Sequence, residues 1–224
     1  MDKVIIIGML IIIIIIGHII KRVRLKKIQE SKNFIIEYNN TLGEYINKLV
    51  NNEFDNEKYN YLVGKSKKVQ IEMGENAILA FYEDPLKGIR TTNYQFIVNF
   101  IPETLEFRYT LDNVLSKERF NQQIIWVSSM FNRHINDCNE QKKKIKQEIS
   151  NPFSCLAEGI RYILIFPIKL LYRFGIISET TTMKISASII IKILGFLIGL
   201  IGFISSIMGI ILGWNEFIKL IFPK

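Results

Sequence analysis

The sequence predicts an all-α membrane protein built from an N-terminal transmembrane helix, an elongated cytoplasmic helical bundle, a membrane-interfacial helix and a C-terminal transmembrane helix. Three observations carry this. The apolar residues of the 224-residue chain concentrate at its two ends. The charged region between them repeats apolar side chains at four-three spacing, the period of a helix. The cations behind a net charge of +8 gather beside the apolar segments, as contact with an anionic membrane surface requires. The divisions fall at residues 1–20, 21–150, 151–184 and 185–224.

The first apolar segment runs from Val4 to Ile20. At 1.5 Å per residue it gives roughly 25 Å of helix, a minimal span for a thin hydrocarbon core. A cleaved signal peptide is the competing reading. No small-x-small cleavage site follows, however, and Lys21, Arg22, Arg24, Lys26 and Lys27 come after the apolar run rather than before it. By the positive-inside rule the N-terminus faces out and the middle of the chain faces the cytosol.

Beyond the anchor, Ile28, Ser31, Ile35, Tyr38, Leu42, Tyr45 and Leu49 keep the helical spacing, so the first helix is expected to continue as a stalk to about Asn52. Asp55 is placed to cap a second helix in which Tyr59, Leu62, Ser66, Val69 and Met73 form the apolar stripe and Gly74 the stop. Residues 75–106, interrupted by Pro85, Gly88 and Pro102, are expected to hold shorter elements, with Tyr94–Phe100 open between helix and strand. A long helix is expected from about Asp112 to Ser150, with Phe120, Ile124, Val127, Phe131, His134, Cys138 and Ile145 on one face.

The stretch Phe153–Ile177 mixes an apolar surface with Arg161, Lys169 and Arg173, whose separations are multiples of four. A basic stripe on an apolar helix describes an element lying in the membrane interface. Pro167 should kink it and Gly175 should end it. A tilted or re-entrant span is the competing reading, opposed by roughly 2.5–3.5 kcal/mol for each cation carried to mid-bilayer. The last span is expected over about Ile193–Trp214, leaving the cytosol so that both termini lie outside. Within it Gly195, Gly199, Gly202, Ser206, Gly209 and Gly213 recur at alternating intervals of four and three. Such a stripe lets helix backbones approach closely in lipid, where packing rather than hydrophobicity drives association; lining a pore is the alternative.

Chemistry is scarce. GxSxG, HExxH and GxGxxG are all absent, and Gly64-Lys65-Ser66 lacks the upstream glycine of a phosphate loop. Cys138 and Cys155 form no CxxC, and the only histidines are His18 and His134. No catalytic residue, metal site or cofactor is therefore expected, and His134 on an apolar stripe reads as a core histidine. Lys142, Lys143, Lys144 and Lys146 suit an anionic lipid surface. Lys65, Lys67 and Lys68, near Tyr59 and Tyr61, are the candidate contacts for an anionic ligand, weighed against an ordinary solvated helix face.

The layout, with the run NPFSCLAEGIRYILIFPIKLLYRFGI and the closing GWNEFIKLIFPK, resembles the transmembrane effectors of Hailong-type bacterial anti-phage defence systems. The resemblance implies a homo-oligomeric channel in the bacterial inner membrane, with the bilayer and further copies of the chain as partners. It also implies control by oligodeoxyadenylate made by a partner nucleotidyltransferase. A similarity of plan, an anchor followed by a helical bundle, also points to LemA-like proteins, from which the large C-terminal apolar segment departs. An anchored scaffold without a pore is the alternative function.

Overall fold

A computed structural model describes residues 2–176 other than 85–87 and 111–112, together with positions 178, 180–181, 188, 201–202, 204–205 and 208–209. Its elements are α1 (Asp2–Val50), α2 (Asn56–Met73), β1 (Ile78–Asp84), β2 (Ile89–Gln95), α3 (Phe96–Phe107), α4 (Val114–Ile149) and α5 (Pro152–Arg173), with a 3₁₀ turn at Gly74–Ala77. The chain is mostly helical, as its periodicity predicts. It divides into two units, one of residues 1–26 and 144–224 and one of residues 27–143.

In the unit of residues 27–143 the predicted stripes are the core. Ile35, Tyr38, Leu42, Tyr45 and Leu49 of α1, Leu62, Val69 and Met73 of α2, and Phe120, Val127 and Phe131 of α4 are all buried. Asp55 caps α2, its side chain accepting from the Lys58 N–H, and Gly74 ends that helix at a φ of +53°. Two buried hydroxyls are satisfied across helices: the Tyr38 hydroxyl donates to the Leu62 carbonyl at 3.0 Å, and Tyr45 and Thr104 share a bond at 3.0 Å.

Two features of this unit depart from the expectation. Ile78–Asp84 and Ile89–Gln95 pair as an antiparallel hairpin, with Ile78 opposite Gln95 and Asp84 opposite Ile89. The stretch left open at Tyr94–Phe100 is thereby divided, its first two residues ending β2 and the rest beginning α3. Pro102 also does not break the chain but lies inside α3. An interior proline costs about 3 kcal/mol, and packing offsets it: Phe96, Ile97, Phe100, Ile101, Thr104 and Phe107 are all buried. The helix start is held from outside by buried Gln70, whose Oε1 accepts from the Ile97 N–H at 3.0 Å while its Nε2 donates to the Ala77 carbonyl at 2.9 Å.

In the other unit, α1 and α5 cross with almost no space between their backbones. A Cβ on Gly17 would overlap the Cys155 carbonyl oxygen and stand 2.9 Å from the Gly159 nitrogen. A Cβ on Gly159 would overlap the Ile13 carbonyl oxygen and stand 2.8 Å from the Ile13 Cγ2. Glycine is thus required at both positions. Beside the crossing Lys21, only 2 % exposed, pairs with Glu148 at 2.6 Å and donates to Ser154 at 2.8 Å. Arg24 pairs with Glu158 at 2.8 Å. Asn151 caps α5, the helix runs through Pro167, and Gly175 stands past its end at a φ of +72°.

Among the described residues no helix is long and apolar enough to cross a membrane. The apolar run of α1 whose side chains are described, Ile7–Ile20, precedes Lys21, Arg22 and Arg24; it is roughly 21 Å long against a hydrocarbon core of about 30 Å. Helix α5 carries Glu158, Arg161, Lys169 and Arg173. The C-terminal span read at 193–214 lies outside the described residues except at 201–202, 204–205 and 208–209.

Candidate functional site

A buried polar cluster lies where the hairpin meets α3 and α4. The hairpin supplies Tyr82 and Asp84, α3 supplies Glu103, and α4 supplies Arg119, Gln123 and Trp126. Arg119 pairs with Asp84 at 2.6 Å and with Glu103. Gln123 Nε2 donates to Glu103 at 2.9 Å and to the Tyr82 hydroxyl at 3.4 Å. The rings of Tyr82 and Tyr94 stack with centroids 4.2 Å apart, and Trp126 meets Tyr82 edge-on at 6.3 Å.

Burial raises both phenols above their ordinary range, with neighbouring Glu103 acting in the same direction. Neither tyrosine is poised as an acid or base near neutral pH. Periodicity could not find it, because its members come from three elements, β1, α3 and α4. The composition did carry a partial signal in the aromatic and β-branched residues of 78–82 and 89–94.

The residues singled out by sequence are dispersed. Lys65, Lys67 and Lys68 are exposed on α2, and Lys68 stands 4.5 Å over the Phe34 ring. Tyr61 is engaged elsewhere, donating to Glu37 at 3.0 Å. Arg161, Lys169 and Arg173 share α5, where Arg161 stands 3.9 Å from Glu158 and Lys169 lies 5.1 Å over the Tyr162 ring. Gly202 and Gly209 are helical, with no described neighbour within 4 Å of a Cβ built on either. Gly195, Gly199, Ser206 and Gly213 lie outside the described residues. The close glycine crossing that the structure does describe, at Gly17 and Gly159, is one the sequence reading missed. Its signal, small residues at Cys155 and Gly159 four apart on an apolar helix, was legible.

His134 is a core histidine, its Nε2 3.5 Å from the Cys138 Sγ. No group of three or more potential metal ligands occurs among the described residues. Burial holds His134 below its ordinary value of 6.5 against the opposing pull of Asp137 and Glu72. The unfolded chain therefore takes up this proton first on acidification, so the contribution is full above pH 6.5 and is lost as pH falls below it. In a thermal-unfolding series from roughly pH 7.5 to pH 5.5, the drop in Tm is expected to be smaller in His134→Leu than in the wild type.

The chain matches no protein-family model, no curated protein and no solved structure. Function is accordingly read from the residues.

Proposed function

We propose that the protein is an integral membrane effector: its apolar helices enter the bilayer, residues 27–143 stay in the cytosol as a regulatory body, and assembled copies permeabilise the membrane. The observation that carries the membrane part is the character of the helices that cross at Gly17 and Gly159. They meet backbone to backbone while Ile7, Ile11, Ile15 and Ile19 on one, and Ile163, Phe166 and Leu170 on the other, remain exposed. Apolar exposure of this extent is a liability in water. In lipid it is ordinary, and small-residue contact is how helices associate there. Pairing of Lys21 with Glu148 and of Arg24 with Glu158 lowers the cost of holding those charges near the membrane.

The permeabilising part rests on the resemblance to defence effectors and on the small-residue series from Gly195 to Gly213. That resemblance also supports control by an oligodeoxyadenylate signal. If Lys65, Lys67 and Lys68 meet that anion, its binding falls steeply with added salt and with their replacement by alanine.

Induced expression with a membrane-potential dye tests the reading. Depolarisation is expected from the wild type and from Ile204→Leu, and it is expected to be lost in Gly202→Leu, which places a bulky side chain on the glycine series. Retention in alkali-washed membranes without depolarisation would assign the protein to the scaffold class. Release by the alkali wash would end the membrane reading.

A further inference from the structure

The net charge is not shared between the two units. Residues 27–143 hold 15 lysines and arginines against 16 acidic residues, whereas residues 1–26 and 144–224 hold 14 against five. The whole cationic excess therefore belongs to the unit that carries the apolar helices.

Ion pairing does not consume it. Glu148 and Glu158 are the only acidic residues between 144 and 176, and each already has its cation. Lys21 stands 2.6 Å from Glu148, while Arg24 at 2.8 Å and Arg161 at 3.9 Å share Glu158. The side chains of Lys144, Lys146 and Arg173 are exposed and form no hydrogen bond or ion pair among the described residues. Lys169 is exposed as well, its Nζ over the Tyr162 ring.

A second observation is independent of charge. α1 covers α5 at Cys155 and Gly159, but further along α5 the apolar side chains are open: Phe166, Leu170, Leu171, Tyr172 and Phe174 are 41–69 % exposed around Lys169 and Arg173. A nucleic acid or another polyanion in water would neutralise the cations and leave those apolar groups wet. A leaflet of anionic phospholipid meets both, with acyl chains against the apolar groups and phosphates against the cations.

We infer that Lys144, Lys146, Lys169 and Arg173 hold the headgroups of an anionic phospholipid leaflet, so that the protein selects phosphatidylglycerol over zwitterionic lipid. The inference rests on the membrane reading proposed above and names the lipid class it requires.

The test titrates the full chain in neutral detergent with phosphatidylglycerol, or with phosphatidylcholine of the same acyl chains, and follows Tm. Phosphatidylglycerol is expected to raise Tm saturably, and the rise is expected to vanish near 1 M salt, where the screening length is about 3 Å. Phosphatidylcholine is expected to leave Tm unchanged. Replacing all four cations with glutamine is expected to raise the half-saturating phosphatidylglycerol concentration about tenfold or more. Arg173→Gln alone is expected to raise it about fivefold, and decides the matter if the fourfold variant does not fold. The control replaces Lys65, Lys67 and Lys68 of the other unit with glutamine and is expected to bind as the wild type does. The inference is overturned if phosphatidylcholine stabilises equally, if inorganic phosphate reproduces the rise, if the variants bind like the wild type, or if the control weakens binding as much. Such a failure with the protein still retained in alkali-washed membranes strikes the lipid class alone. Release by the alkali wash strikes the membrane reading, while lipid selectivity in detergent is decided without it.

Discussion

Gly159→Leu is expected to destabilise the α1–α5 unit by about 3 kcal/mol or more, at the upper end of the cost of overpacking. A Cβ alone already overlaps the Ile13 carbonyl oxygen, which is backbone and cannot swing aside as a side chain does. The helices must separate, and the Lys21–Glu148 and Arg24–Glu158 pairs beside the crossing then lose their geometry. Gly17→Leu is expected to act in the same way through Cys155. The control is Gly43→Ala, where a Cβ meets nothing within 4 Å. Replacing an unconstrained helical glycine with alanine is expected to stabilise by roughly 0.5–1 kcal/mol. Thermal unfolding in detergent, with a cysteine pair across α1 and α5 to report their separation, distinguishes these outcomes. Equal behaviour of Gly159→Leu and Gly43→Ala would show that the close crossing is not required.

Arg119→Leu is expected to cost about 3–5 kcal/mol, because it removes the guanidinium that pairs with buried Asp84 and Glu103. The side chain of Asp84 is only 1 % exposed and that of Glu103 only 9 %, so water cannot take the place of the guanidinium without opening the hairpin from α3 and α4. Adding Asp84→Asn and Glu103→Gln to Arg119→Leu is expected to recover most of the loss. The penalty comes from buried charges that lose the guanidinium rather than from the missing side chain. Denaturant titration of the single and triple variants measures the difference. A triple variant as unstable as the single one would place the effect in packing instead, for Arg119 also lies over the Phe107 ring at 5.2 Å.

The helices of residues 27–143 were legible because helical burial is periodic. Once Ile35, Tyr38, Leu42, Tyr45 and Leu49 fall on one face, the core side of α1 is decided whatever packs on it, and the same holds for Leu62–Met73 and Phe120–Cys138. The caps at Asp55 and Gly74 were equally local, being set by which side chain can accept an amide hydrogen and which residue tolerates a positive φ. The hairpin was not legible in the same way, since a short apolar run reads alike in a strand and in a buried helix until a partner strand is known. Pro102 misled for a related reason: its cost is local, while the burial of Phe96, Phe100 and Phe107 that outweighs it comes from neighbouring elements.

The two features with most bearing on function belong to tertiary structure. Asp84, Glu103, Arg119 and Gln123 form a site only because β1, α3 and α4 bring them within hydrogen-bonding distance. The small residues at 17, 155 and 159 could be read from the sequence as candidates for close packing. Only the crossing of α1 and α5 decides that these glycines, more than a hundred positions apart, meet backbone to backbone. By itself the sequence determined which faces are apolar and where helices start and stop, because those depend on neighbours along the chain. Tertiary structure decided which faces meet and which charges are paired, because those depend on atoms that the chain order keeps far apart.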